Sequence, residues 1–333
     1  MRPFEKPPLT IEQQLLLLKD RGLNIYDEQK ASRFLEVVSL FRLSPYMRPF
    51  QHGGNPDHRF RDGATLNQVV TSYRFDRELR ALVMDAIERV EVAVRACITN
   101  VMAPGYNDAH WYLDKANFKD RYNHQRLIDD LQHKLDSERH HFGRESENIR
   151  RSHASPQAKA QRIESRKRDN YFRFYGQTYD TPILPPIWAA LEELSFSALS
   201  RLYQGIARDN DRKRIASRFR LPQEVLGSWL HTLTFVRNCC AHHARLWNRE
   251  LAIPPKLPRE KAWNWPQILL GQPRPERRLF VVVLMLAHLM RHVSPDSQWQ
   301  DRLKKLLEKY PGVPLAPMGF IEEWGAHPVW AAG

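Results

Sequence analysis

Residues 72–98 read SYRFDRELRALVMDAIERVEVAVRACI, and the placing of their apolar side chains decides the fold class. Leu79, Leu82, Val83, Ala86, Ile87, Val90 and Val94 recur at helical spacing, on one face, without the alternation of a strand. Thr65 can cap this helix at its start, and Pro104-Gly105 marks its expected stop just past Met102. Upstream, Thr10 can cap a helix running to Asp20, which Gly22 ends. Asp27 can open another that carries Phe34, Val37, Val38 and Phe41. A loop is expected from Ser44 to Gly63, with Pro45, Pro49, Pro56 and the Gly53-Gly54 pair. Downstream, Pro186 suits the first turn of a helix with Trp188, Leu191 and Leu194, and a further helix is expected from Pro222 to Trp247. Helices from Glu276 to His292 and from about Asp296 to Lys309 complete the pattern, and the last stretch should pack as an extended tail. No strand pattern of comparable strength appears and no internal repeat. The expectation is an all-α protein.

The chain has 333 residues, enough for one large core or two smaller ones. Its 51 Lys+Arg against 38 Asp+Glu give a net charge of +13. A surface that basic concentrates polyanions, which fits nucleic acid and fits membrane surfaces equally well. Three cysteines, two of them adjacent, make no disulfide framework and suit a reducing compartment. The opening MRPFEKPPLT lacks the apolar core of a signal peptide, and the run from Leu279 to Met290 is too short to cross a bilayer. A cytoplasmic protein with no membrane partner is expected.

Chemistry concentrates in Val236-Arg237-Asn238-Cys239-Cys240-Ala241-His242-His243-Ala244-Arg245-Leu246-Trp247-Asn248. An arginine can hold charge on a phosphate, and a histidine can move protons at neutral pH. Carried through to Trp247, the helical repeat puts Trp229, Leu233, Val236, Cys240 and Trp247 on one stripe and Asn238, His242, Arg245 and Arg249 on the opposite one. His243 falls toward the apolar side, which favours His242 as the chemical histidine. Arg237 lies about 100° from the polar stripe. The plain alternative is a histidine pair serving packing and surface. Zinc fits poorly, since four candidate ligands within five consecutive residues cannot converge tetrahedrally. Neither a metal nor a cofactor is expected.

Arg237-Asn238-Cys239-Cys240-Ala241-His242 has the R-x4-H form of the HEPN superfamily of RNA-processing domains. The longer RNCCAHHARLWNR resembles the signature of abortive-infection proteins of the AbiD/AbiF type. KPPLTIEQQLLLLKDRGLNI, LFRLSPYMRPF and the 72–98 segment resemble that family's opening helix, connecting segment and central helix. The resemblance implies a HEPN-like helical bundle with additional N-terminal and C-terminal helices, acting as a homodimer that pairs two motifs. It implies a metal-independent endoribonuclease of a phage-defence or toxin–antitoxin system, with Arg237, His242 and Asn238 catalytic and His243, Glu91 and Arg95 in support. Glu91 and Arg95 are also an ordinary helical ion-pair spacing. A small-RNA or protein antitoxin would be the partner. Two alternatives stand beside this. One is a non-catalytic RNA-binding regulator that grips a structured small RNA; the other is an Arg/His helix that serves as a target for nucleotide modification.

On this reading residues 1–64 form N-terminal helices and a Pro/Gly-rich loop, 65–310 the HEPN-like domain, and 311–333 a C-terminal tail. Within the domain, 139–175 is a basic insertion. Arg150, Arg151, Arg162, Arg166, Lys167 and Arg168, close to Tyr171 and Phe174, are candidate RNA contacts together with Arg245 and Arg249. The low apolar content before Tyr171 argues that part of 139–175 is poorly ordered without a partner, and a solvated helix or mobile insertion is the alternative to RNA binding.

Overall fold

A computed structural model describes residues 3, 7–54, 57–259, 263, 271 and 273–330. Among the described residues it is all-α, with 13 α-helices and no strands, only three isolated bridges. Pro56 and much of the proline-rich link after Arg259 lie outside the described residues.

The central helix α4, Leu66–Tyr106, runs 41 residues, or about 60 Å at 1.5 Å per residue. Thr65 caps it in a reciprocal capping box with Gln68. It passes Pro104 and ends two residues beyond the expected stop, on the left-handed Asn107. Its predicted stripe is the core: Val83, Ala86, Ile87, Val90 and Val94 have no exposed surface.

The N-terminal helices α1 (Ile11–Asp20), α2 (Glu28–Val37) and α3 (Leu40–Met47) cover one end of α4, as α3 packs along it. Two expectations fail here. The Asp27-capped helix breaks at Val38, and Ser39 caps a new one by accepting a bond from the Arg42 amide. The expected loop begins later than Ser44, because Pro45 lies inside α3 and a short 3-10 turn, Arg48–Phe50, follows.

The basic insertion is helical: α5 (His124–Arg151), α6 (Pro156–Arg168) and α7 (Tyr171–Gly176) pack on one another. Leu131, Leu135 and Phe172 are buried between them. Arg173, itself buried, ion-pairs with Glu138 at 3.2 Å and Glu145 at 3.0 Å and donates to the Arg166 carbonyl. Those bonds supply what the sparse apolar content does not.

Beyond Pro186 the expected helix is only the short α8, Ile187–Ala190, continued by a 3-10 turn. Then come α9 (Phe196–Gly205), α10 (Asp209–Ser217) and α11 (Gln223–Ala241), with α11 packed on both α4 and α9. The apolar run forms α12, Leu279–Val293, whose Leu279–Leu286 side chains are all buried against the core. Its start is three residues later than Glu276. The last helix, α13, Trp299–Lys309, is held to α4 by the Trp299 indole donating to the Leu82 carbonyl at 2.9 Å. The described part of the tail curls into 3-10 turns and does not extend. No single helix among the described residues is long and apolar enough to cross a membrane.

Candidate functional site at the end of the motif helix

The motif sits where α11 stops. His242 is the C-cap, and His243 takes the left-handed conformation at φ 55°. The His243 amide donates to the Cys240 carbonyl at 3.0 Å and the Ala244 amide to the Cys239 carbonyl at 2.8 Å. These are the two bonds of a Schellman closure, which usually uses glycine; histidine is one of the few other residues enriched at positive φ. The helical wheel therefore fails past Ala241. Arg245 and Arg249 do not continue the Asn238–His242 stripe, and Trp247 enters the core from a loop. His243 is exposed, not turned toward the apolar side.

Asn238 and His242 are exposed and Arg237 is half-buried. Among the described residues, no hydrogen bond or ion pair engages the side chains of these three. Arg237 and His242 lie about 140° apart around the helix axis. Arg249 returns to the same face by another route, with its guanidinium 5.4 Å from the ring centre of Phe235, one turn before Asn238. Arg245 instead braces α3, donating to the Pro45 carbonyl at 3.1 Å, and burial lowers its pKa. Arg42 of α3 reaches back to donate to the His243 carbonyl at 2.8 Å. Cys239 and Cys240 are buried, and burial pushes both thiols up, Cys240 to about 12. With the thiols inside and both imidazoles outside, these four side chains do not converge as a ligand set.

What holds this turn in place is a residue that the sequence reading passed over. Asp76 has no exposed surface. Its Oδ1 accepts from the amides of Leu246 at 3.1 Å and Trp247 at 2.6 Å. Its Oδ2 accepts from the Tyr46 hydroxyl and from Arg80, and Arg80 also donates to the Tyr46 oxygen at 3.2 Å. Burial pushes the Asp76 carboxyl upward, opposed by the Arg80 charge and by the three remaining donors. The Leu246 and Trp247 amides and the Arg80 guanidinium can only donate, an arrangement that favours the carboxylate form of Asp76 against the effect of burial. Tyr46 in turn stacks flat against Trp247, with ring centres 6.2 Å apart. The signal was present in the sequence: Asp76 and Arg80 fall in register with Val83, Ile87, Val90 and Val94, a charged pair on an apolar stripe.

The other candidate residues have mainly structural surroundings. Arg95 bonds Glu91 at 2.6 Å and donates to the carbonyls of Leu191 and Leu194, each at 2.9 Å, clamping the turn after α8 onto α4. On the α5–α6 hairpin, Arg151 pairs with Glu147, Arg166 with Asp169 and Arg168 with Glu164, all exposed. Arg150 and Arg162 are exposed and Lys167 half-buried, 5.4 Å from the ring centre of Phe174. The hairpin cations are thus grouped together on elements separate from α11.

No curated protein and no solved structure matches the chain. A family model described as Abi-like protein matches residues 33–248. That span begins in α2 and runs through Tyr46, Asp76, Arg80 and the whole motif to the loop that Asp76 grips. Covering well over half of the sequence, the match shows that this chain belongs to the Abi-like protein family.

Proposed function

We propose that the protein is a metal-independent endoribonuclease of an abortive-infection system, cutting RNA with the Arg237–His242 motif of two paired copies. The observation that supports it most is the face at the end of α11. An arginine, an asparagine and a histidine stand there with no side-chain hydrogen bond or ion pair among the described residues, on a turn fixed by a buried carboxylate, in an Abi-like chain of net charge +13. Unpaired polar side chains on a rigid support are what a polar substrate requires.

The chemistry is transesterification within RNA. His242 from one copy takes the 2′-hydroxyl proton, and the 2′-oxygen attacks the adjacent phosphorus. The bond from phosphorus to the 5′-oxygen breaks, and the imidazole of the second copy returns a proton to the departing oxygen. Arg237 donates to the nonbridging oxygens as negative charge gathers on them, and Asn238 orients the imidazole or the phosphate. The products are a 2′,3′-cyclic phosphate and a 5′-hydroxyl. DNA lacks the attacking group and is no substrate.

The test is purified protein incubated with total RNA in the presence of EDTA, followed by mapping of cut ends. Cyclic-phosphate ends that disappear with His242→Ala and with Arg237→Ala support the proposal. Magnesium-dependent cuts with 5′-phosphates, or undiminished cutting by His242→Ala, overturn it. Arg237→Lys should restore activity only in part, because a point charge replaces a planar fork. A second reading, a non-cutting regulator that grips a structured small RNA, draws on the exposed cations of α5 and α6. Intact RNA copurifying equally with parent and His242→Ala protein, with no cut ends, would favour it.

A further inference from the structure

The exposed face of α11 does not end at Asn238. His231 lies on it seven residues earlier, about 10 Å along the axis, with Phe235 between. His231 lines two adjoining cavities of about 610 Å³ and 530 Å³, which share it with Lys119, Arg121 and Gln204. The larger is also walled by Arg126 and Arg201, against a single carboxylate, Asp130, which faces Arg126 at 3.8 Å.

The cations of the smaller cavity's far side are matched: Arg212 pairs with Asp209, and Lys256 with Glu224 at 3.1 Å. Those of the shared wall are not. Among the described residues Lys119, Arg121 and Arg201 make no ion pair within 4.0 Å, although Asp209 and Glu224 are near enough to act on the Lys119 charge. Lys119 donates to the Gln204 carbonyl at 2.8 Å and Arg201 to the Ser197 hydroxyl at 2.6 Å. Burial lowers the Lys119 pKa, with Arg212 and Arg121 adding to the effect and the Asp209 and Glu224 charges opposing it. Gly205 shapes the wall, for a Cβ there would lie 2.5 Å from the Tyr122 ring.

We propose that this cleft carries the sugar–phosphate backbone of single-stranded RNA to the motif, Lys119, Arg121 and Arg201 taking phosphates while His231 lines the track toward Asn238 and His242. The cavities are of a size that takes a drug-sized ligand, about one or two nucleotides each, which suits a single strand better than a duplex. A small isolated anion would need one of them; two in line with the motif on one helix face fit a strand.

This rests on the ribonuclease reading for its destination, and its test is kept separate by measuring binding alone. The affinity of His242→Ala protein for fluorescein-labelled oligouridylate is followed across a salt series, with Arg121→Gln/Arg201→Gln added. Each lost phosphate contact should reduce the salt slope by about 0.7, so the double variant should lose about 1.4 and bind about tenfold more weakly at low salt. A control of equal charge, Arg77→Gln/Lys305→Gln, should change affinity much less. Unchanged binding in the cleft variant, an equal loss in the control, no binding by His242→Ala protein, or an equal loss of duplex RNA binding overturns the proposal. If the parent cuts no RNA yet the cleft variant loses the strand, the ribonuclease reading falls and the cleft stands.

Discussion

Asp76→Ala removes the acceptor that holds the turn after the motif, and the structure sets the size of the effect. The truncation leaves the Arg80 guanidinium, whose side chain is 7% exposed, without its counter-charge. It also leaves the Leu246 and Trp247 amides and the Tyr46 hydroxyl without their acceptor. Breaking a buried ion pair by deleting one partner destabilises by about 3–5 kcal/mol. Each orphaned donor adds up to about 1–3 kcal/mol unless water enters the new space. We expect a total loss of about 3–5 kcal/mol in equilibrium urea unfolding, water in the vacated volume serving the amides. Domains have about 5–15 kcal/mol to lose, so a folded majority should remain at low temperature. Asp76→Ala/Arg80→Met should recover part of the loss, because the unpaired charge is gone. Because the carboxylate grips the backbone beside the motif, Asp76→Asn should lower RNA cleavage more than RNA affinity. A loss under about 1 kcal/mol for Asp76→Ala, or a double variant as weak as the sum of the single ones, would refute this account of the buried carboxylate.

His288 tests acid stability. Its Nε2 lies 2.8 Å from the Phe219 carbonyl, and burial, abetted by His292 and Arg291, depresses its pKa to about 4 from the ordinary 6.5. The folded state prefers the neutral ring, so its contribution is complete above the unfolded pKa and fades as pH falls toward 4. Between pH 7 and pH 5 the loss should be about 2 kcal/mol, and His288→Gln should flatten it; equal pH slopes for both proteins in urea unfolding would contradict the assignment. Arg173→Met should destabilise by about 1–3 kcal/mol, less than Asp76→Ala, because Glu138 and Glu145 keep access to water. Amide exchange should quicken on α5–α7 while α4 stays protected, and uniform quickening would remove Arg173 as a local staple. Gly205→Ala forces the Tyr122 ring aside at about 1–3 kcal/mol, visible as a lower melting temperature; an unchanged melt means the ring yields freely.

The elements legible in the sequence were those with strong local chemistry. Thr10 and Thr65 each begin a helix in a capping box, Asp27 accepts from the Lys30 amide, and the α4 stripe is the core. The failures came where tertiary contacts overrode local pattern. Val38 breaks a continuous apolar repeat because Ser39 can cap α3 and lay it along α4. The motif helix stops at Ala241 without glycine or proline, since His243 accepts a left-handed turn that Arg42 and Asp76 secure from distant segments. Of the candidate site, Asn238 and His242 are exposed and Arg237 is half-buried. Arg249 reaches that face only through the loop, and Arg245 faces α3. Asp76 and Arg80 have the four-residue spacing of an ordinary surface ion pair; their register with buried valines was the clue to a buried one.

The single rod of α4 touches α3 near its start, α11 and α12 along its flanks, and α10 and α8 farther on. Helices from both ends of the chain thus pack on one rod. A lesion in the N-terminal cap should be felt at the histidine turn through Tyr46 and Arg42, some two hundred positions away in the chain. Shuffling of segments between relatives should therefore succeed only when the rod and the residues clasping it travel together.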